Sequence, residues 1–328
     1  MIGLNETPDT LTPYPSPASG RGERRASIAD LQRRCQKLDH RRLGNWMARH
    51  VTRPAALRIT WLVAPWGISA NTATLAAWLC GAAAAAALAW GTVAGWLIGA
   101  ALLQLWYLLD HVDGQLARFH GTASLDGTQL DYLMHHTVNL LVPLGIGCGL
   151  AARSLEPLWA LGGLVWGMAL LLVTLQHDAR YKAFVQRLKC VRGDLRAVGG
   201  GGGRPTPQPP IPRSLHRLAA WTARKSCEIH VVANLAAVVA SVQWLAGDVS
   251  LCTGRVWLAL AAPTAAIVAG WTICHSQHQH AAEAEFAAWY RPPQGHDLTY
   301  ADGWWDVQQA PPQNEQTPRQ NKLSDFPL

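Results

Sequence analysis

The sequence predicts an all-α, polytopic membrane protein with six transmembrane helices and an amphipathic interfacial helix on the N-terminal side. Charged residues make up 15% of the 328 residues, well below the ~25% that is usual in soluble domains. No Asp, Glu, Lys or Arg occurs between Arg58 and Asp110, a run of 51 residues, and four further charge-free runs follow. Together these features exclude an ordinary soluble domain and a disordered chain, although the mean hydropathy is only +0.04.

The charge-free runs set the number of spans. A spanning helix needs roughly 20 apolar residues, so the longest run accommodates two helices, with Gly91-Thr92 near its middle. Each of the other runs accommodates one helix. The predicted spans are 72–91, 93–112, 130–151, 157–177, 229–247 and 256–276.

Basic residues predict the orientation of these spans. Of the 28 Lys and Arg residues, 26 fall on one side of the predicted bilayer, and only Arg153 and Arg255 fall on the other. The positive-inside rule then places both termini and the loops after spans 2 and 4 in the cytoplasm. The net charge of +7 mainly reflects the excess of basic residues on the cytoplasmic side, and it gives no reason to invoke a nucleic acid partner.

The chain divides by composition into a membrane domain and flanking polar segments. Residues 1–26 have no apolar signal-peptide region and are expected to be a disordered tail. Residues 27–58 have the pattern of a basic amphipathic juxtamembrane helix, which either lies on an anionic bilayer or packs on the cytoplasmic ends of the spans. The six-span domain covers 59–280, including a Gly/Pro-rich cytoplasmic linker at 198–213. The remainder, 281–328, is expected to be a polar, disordered tail.

Acidic residues at the ends of spans 2 and 3 carry most of the functional information. Asp110 and Asp113 are three residues apart and Asp131 and His135 are four apart, so each pair shares a helix face. The predicted topology brings both pairs to the cytoplasmic side. Clustered carboxylates repel unless a cation or proton intervenes, and oxygen ligands suit Mg²⁺ or Mn²⁺. Charged residues at membrane depth are costly and usually functional.

Small and basic residues next to these acids indicate a phosphate ligand. Gly114 and Ala117 lie on the same side as the acids and leave room for a flat group to approach the helix backbone. Arg118 supplies a cation suited to phosphate. The residues alone therefore predict metal-assisted chemistry on a phosphate ester at the cytoplasmic membrane face.

These residues form a pattern that resembles the signature of the CDP-alcohol phosphatidyltransferases. The pattern reads Asp110-x2-Asp113-Gly114-x2-Ala117-Arg118-x8-Gly127-x3-Asp131-x3-His135. Every fixed position agrees with the family in type and spacing except the last, where His135 replaces an Asp. Residues 69–74 are also similar to the Pro-Asn-x-(Ile/Leu)-Thr segment that precedes the first span of the family. The resemblance covers roughly residues 45–280.

The resemblance implies a membrane transferase of phospholipid biosynthesis. Family members transfer a phospho-alcohol group from a CDP-alcohol, here expected to be CDP-diacylglycerol, to the hydroxyl of a small alcohol acceptor and release CMP. Carried over by position, Asp110, Asp113 and Asp131 bind Mg²⁺ or Mn²⁺. Gly114, Ala117, Arg118 and Gly127 shape the nucleotide site. The resemblance further implies a homodimer and a multi-pass protein of a bacterial inner membrane, with a cytoplasmic active site.

His135 stands where the family has the Asp that is thought to deprotonate the acceptor. A neutral imidazole is a competent base near pH 7, and His135 lies one helical turn after Asp131. The leading interpretation is an active enzyme with His135 as base or as a group adjacent to the metal. An active enzyme that uses another base, such as His136, and a catalytically degenerate protein are the alternatives.

Other classes of function and other ligand residues are also open. A polytopic transporter and a membrane scaffold that retains nucleotide or metal binding are the alternatives to an enzyme. The transporter is disfavoured because the acids gather at one face instead of lining a path through the spans. Four basic residues on the predicted cytoplasmic side either bind a phosphate of the acceptor or only keep this side of the protein in the cytoplasm. They are Arg53, Arg58, Arg180 and Lys182. The sequence does not identify the acceptor.

Overall fold

The computed structural model describes residues 27–35, 45–197 and 214–309. The predicted N-terminal tail and the Gly/Pro-rich linker lie outside these residues. The described residues form two compact units, a larger one with 27–35, 45–175 and 214–273 and a smaller one with 176–197 and 274–309.

Helices dominate the described residues. In chain order they are α1 (Ile28–Cys35), a π-helical turn (Ala48–Thr52), α2 (Arg53–Val63), a 3-10 turn (Ala64–Trp66), α3 (Ala70–Ala89), α4 (Val93–His120), α5 (Leu125–Ser154), α6 (Leu158–Lys189), α7 (Leu215–Ser226), α8 (Ile229–Leu245), α9 (Cys252–His278) and α10 (Ala281–Trp289). Short strands follow α6 and α10. The predicted all-α class is therefore confirmed.

The described helices also have the lengths that a membrane protein requires. Five of them, α3, α4, α5, α6 and α9, are long and apolar enough to cross a membrane. The pair α7–α8 passes the same test only as a unit bent by 86°, which gives up to six spans. The fifth predicted span, 229–247, corresponds to α8. The polar helix α7 before it could not be recognised from a charge-free run, because it contains Arg217, Arg224 and Lys225.

Hydroxyl caps and glycine turns fix where the first three spanning helices begin and end. Ser69, Thr92 and Ser124 each precede a helix and accept a hydrogen bond from the backbone N–H of its first turn, at α3, α4 and α5 respectively. Gly121 ends α4 with φ of +65°, a conformation that glycine adopts at little cost. The start of α3, the end of α4 and the start of α5 consequently lie at the same end of the bundle.

The core of the larger unit is built from buried tryptophans and from close backbone contacts. Trp96, Trp106 and Trp166 are almost completely buried. Gly145 of α5 lies directly against the carbonyl group of Ala85 in α3, where a side chain has no room. Small residues allow helix backbones to approach in this way, which is how spanning helices associate without a hydrophobic driving force.

Gly145→Ala should destabilise the protein, because the added methyl group would overlap the Ala85 carbonyl and push α3 and α5 apart. Overpacking of this kind costs about 1–3 kcal/mol. The thermal unfolding midpoint in detergent micelles should fall clearly below that of the wild type. Gly270→Ala in α9 is the matched control, since no atom lies within 4 Å of its Cβ position, and it should unfold at the wild-type temperature. Equal midpoints for the two variants would contradict the close α3–α5 contact.

The smaller unit contains the C-terminal half of α6, helix α10 and five short strands. The strands are β1 (Val191–Arg192), β2 (Arg196–Ala197), β3 (Tyr290–Arg291), β4 (His296–Ala301) and β5 (Trp304–Gln309). Strand β5 pairs in parallel with β1 and antiparallel with β4, while β2 pairs antiparallel with β3. The guanidinium of Arg187 forms an ion pair with Glu283 and lies over the rings of Phe286 and Trp305.

The predicted disorder after residue 280 therefore does not hold for residues 281–309. Helix α10 and the β4–β5 hairpin occupy this stretch. The hairpin turn includes Asp302 and Gly303, both with positive φ, and such a turn is a recognisable hairpin signal. The Pro- and Gln-rich composition around it hid this signal. Residues 310–328 of the predicted tail lie outside the described residues.

Candidate active site

The predicted site residues meet where α4 ends and α5 begins. The turn at Gly121 reverses the chain, and Ser124 starts α5 by accepting a hydrogen bond from the N–H of Gly127 at 3.0 Å. A Cβ atom on Gly127 would lie 3.2 Å from the side-chain oxygen of Asn71 in α3. Glycine at this position therefore lets α3 and α5 approach each other beside the turn.

Two carboxylates and one imidazole form a compact group at this end of the bundle. His135 Nε2 lies 2.8 Å from Asp110 Oδ1 and 3.4 Å from Asp131 Oδ1. One ligand atom of each residue lies within 4.8 Å of the others. Trp106 packs edge-on against the imidazole, with ring centroids 5.6 Å apart, and so limits its rotation. The helix spacing predicted this convergence of α4 and α5.

This donor set fits a divalent cation. Carboxylate oxygens are the ligands that Mg²⁺ and Mn²⁺ prefer, and imidazole is compatible with Mn²⁺. All three side chains are partly exposed, so an ion can reach them from solvent. The sequence leaves His135 as a base or as a group adjacent to the metal, and the geometry places it within the group that can hold a metal.

Asp113 is held differently from the other two predicted ligands. It is buried, with 7% of its surface exposed. Its Oδ2 accepts a hydrogen bond from the Thr74 hydroxyl at 2.8 Å, and its Oδ1 accepts one from the N–H of Gly114. Asp113 still lines the same cavity as Asp110, Asp131 and His135. The role of Thr74 was missed, although it ends the 69–74 segment that resembles the family.

Two adjoining cavities meet at the acidic group. The first, of about 340 Å³, is lined by the four predicted nucleotide-site residues Gly114, Ala117, Arg118 and Gly127. The second, of about 260 Å³, contains Asp110, His135 and Arg53. Their linings share Asp113, Gly114, Arg118 and Asp131. A reaction between two substrates is therefore possible at this shared wall, with one substrate in each cavity.

Arg118 lies across this shared wall. Its guanidinium nitrogens are 3.3 and 3.5 Å from the position that a Cβ on Gly114 would occupy. The absence of a side chain at Gly114 thus leaves space for the Arg118 guanidinium. The sequence alone predicts that this space serves the approach of a ligand. Arg118 Nε donates a hydrogen bond to the backbone carbonyl of Cys35 in α1, a contact that the sequence did not predict.

His111 adjoins the acidic group from α4. Its Nδ1 is 3.5 Å from Asp110 Oδ2 and 3.0 Å from the Tyr107 carbonyl oxygen. The compact group that can hold a metal includes His135 and does not include His136, the alternative base.

Comparison with known proteins identifies the class to which this site belongs. Residues 67–192 match the family model described as CDP-alcohol phosphatidyltransferase. The matched segment covers α3 to α6, and over these residues the resemblance based on the motif is confirmed. The match is narrower than the predicted 45–280, since α2 and α7 to α9 lie outside it. No curated protein matches the chain.

Proposed function

We propose that the protein is a membrane enzyme that transfers a phosphatidyl group from CDP-diacylglycerol to the hydroxyl of a small polar alcohol. The family of residues 67–192 supports transfer from a CDP-alcohol. The observation that carries the proposal is the convergence of Asp110, Asp131 and His135 beside the wall between two cavities, to which Asp131 itself contributes. The donor occupies the larger cavity, lined by the motif, and the acceptor occupies the one that contains Arg53.

The reaction is a substitution at the phosphorus that bears the diacylglycerol. The acceptor oxygen forms a new bond to this phosphorus, the bond from phosphorus to the oxygen of CMP breaks, and CMP leaves with that electron pair. Arg118 binds the donor's diphosphate, because a guanidinium presents several N–H donors in a geometry that matches phosphate oxygens. Gly114 and Gly127 keep the cavity free of side chains at those positions.

Asp110 and Asp131 would hold Mg²⁺ or Mn²⁺, with Asp113 facing the same cavity. When bound, such an ion neutralises charge that develops on the departing phosphate. Thr74 fixes the Asp113 carboxylate through its 2.8 Å hydrogen bond. His135 accepts the proton of the acceptor hydroxyl through Nδ1, because its Nε2 lies 2.8 Å from Asp110 Oδ1 and donates its hydrogen to that carboxylate. Asp110 thereby orients the ring and stabilises the charged imidazolium.

A lipid donor fits the location of the cavities. They lie at one end of α3, α4 and α5, three helices long enough to span a bilayer. Acyl chains of a donor can remain in the bilayer while its nucleotide reaches the motif. Expression of the protein in cells that contain CDP-diacylglycerol, followed by mass spectrometry of the lipids, should reveal one new phospholipid class. The same class should be missing when Asp131→Asn is expressed at an equal level.

The orientation and assembly complete the proposal. The distribution of basic residues supports an active site and both termini in the cytoplasm, as for an enzyme of a bacterial inner membrane. The family resemblance supports a homodimer.

We expect the acceptor to carry an anionic group that Arg53 binds. Arg53 begins α2 and lines the acceptor cavity, whereas Arg58 of the same helix is exposed. Burial lowers the pKa of Arg53 below its ordinary value, yet a guanidinium remains charged at pH 7. Arg53→Gln should raise the KM for the acceptor about tenfold or more and leave the KM for the donor unchanged.

Arg58→Gln is the matched control and should leave the KM for the acceptor and the KM for the donor unchanged. The measurement is the rate of CMP release at varied acceptor and fixed donor concentration, and then the reverse. An equal effect of Arg53→Gln and Arg58→Gln on the acceptor KM would contradict a specific role for Arg53.

A further inference from the structure

Helix α1 lies outside the segment that matches the family, yet it contacts the motif. We propose that α1 is a positioning element of the donor site, because the Cys35 carbonyl at its C-terminal end sets the orientation of Arg118. The inference rests on the proposed function, since it takes Arg118 as the group that binds the donor's diphosphate. It makes donor affinity depend on the N-terminal helix.

The contact uses one side of the guanidinium and leaves the other free for the donor. Arg118 Nε donates to the Cys35 carbonyl, 83 residues earlier in the chain. The two Nη atoms lie over Gly114, and the residue lines both cavities. A guanidinium has five N–H donors in a rigid fork, so fixing the Nε–H fixes the direction in which the four Nη–H donors point.

At Cys35, the acceptor of this hydrogen bond is the backbone carbonyl and not the thiol. Burial raises the pKa of the Cys35 thiol, and the nearby Arg118 and Arg34 only partly oppose this effect. The thiol is therefore neutral at pH 7, and the backbone carbonyl supplies the negative charge density that Arg118 meets.

Apolar packing holds α1 in place. Leu31 and Cys35 are buried and form a cluster with Leu57 of α2, to which Trp61 and Phe119 also contribute. Phe119 follows Arg118 directly in α4, so the cluster and the hydrogen bond are adjacent. On the opposite side of α1, Ala29 and Arg33 are exposed. Loss of the apolar cluster should release the carbonyl from Arg118.

Leu31→Asp tests the proposal against Ala29→Asp, which introduces the same charge on the exposed side of the same helix. In the full-length protein, Leu31→Asp should raise the KM for CDP-diacylglycerol between about 10- and 100-fold, as expected when a binding group is misplaced by about 1 Å. The KM for the acceptor and the metal concentration for half-maximal activity should not change. Ala29→Asp should behave as the wild type. Leu31→Ala, which buries no charge, replaces Leu31→Asp in the comparison if the latter lowers the unfolding temperature.

A double-mutant cycle separates an effect through Arg118 from a general structural effect. Arg118→Lys keeps a positive charge but lacks the Nε–H and the fork. When the Leu31 substitution is added to the Arg118→Lys protein, the KM for the donor should stay at the value of Arg118→Lys alone. An unchanged donor KM for Leu31 variants, or a full effect that persists in Arg118→Lys, would overturn the proposal. A wild-type protein that releases no CMP would instead overturn the proposed function on which it rests.

Discussion

Asp131→Asn should reduce CMP release by about 10²- to 10³-fold, the loss expected when one preorganised electrostatic group is removed from a reaction centre. The substitution keeps the size of the side chain and removes its negative charge. Asp131 lies in the compact group with Asp110 and His135 and lines both cavities. Its loss therefore weakens metal binding and the stabilisation of the leaving phosphate together.

The measurement is the initial rate of CMP release as a function of Mn²⁺ and Mg²⁺ concentration. The variant should need more metal for half-maximal activity and should not reach the wild-type rate at saturation. Asp126→Asn is the matched control, because Asp126 is an exposed carboxylate in the first turn of the same helix. Wild-type rate and metal dependence in Asp131→Asn would show that this group is not the metal site.

His135→Ala should lower the maximal rate by about 10²- to 10⁴-fold, the range expected for loss of a general base. His135→Asp should restore part of the rate, because a carboxylate at this position matches the family pattern. The two possible roles of His135 predict different metal titrations. Loss of a base lowers the maximal rate at an unchanged half-saturating metal concentration, whereas loss of a ligand raises that concentration.

The control for this experiment is His136→Ala, which replaces the neighbouring imidazole, the alternative base. It should retain a rate near that of the wild type. A His135→Ala protein with wild-type turnover, or a larger loss in His136→Ala, would rule out His135 as the base.

The sequence was sufficient to predict most of the site because its chemistry is local. Asp131 and His135 share a helix face by their spacing of four, and the charge-free runs located the spans that bring them to the end of α4. The same reasoning could not divide the carboxylates into two environments. Asp113 accepts a hydrogen bond from the hydroxyl of Thr74, 39 residues earlier in the chain. Side-chain hydrogen bonds between helices leave no periodic pattern in the sequence.

Longer-range contacts and polar helices were harder to predict for a similar reason. The contact between Arg118 and Cys35 depends on how α1 packs against the other helices. The amphipathic pattern of this helix shows that one face needs an apolar partner, but it does not show whether that partner is the bilayer or the protein. Helix α7 is amphipathic and basic, so a search for charge-free runs cannot find it. The β4–β5 hairpin lies in a stretch whose composition resembles disorder but whose turn residues, Asp302 and Gly303, indicate a hairpin.

The central claim is that the group at the ends of α4 and α5 catalyses metal-dependent transfer from a CDP-alcohol. The most direct test is CMP release by the purified full-length protein in mixed micelles with CDP-diacylglycerol, Mn²⁺ or Mg²⁺ and a panel of small alcohols, with and without EDTA. We predict stoichiometric formation of CMP and a new phospholipid with at least one alcohol, abolished by EDTA and reduced about 10²- to 10³-fold by Asp131→Asn. Absence of CMP with every alcohol and either metal, from protein that remains folded, would contradict the claim.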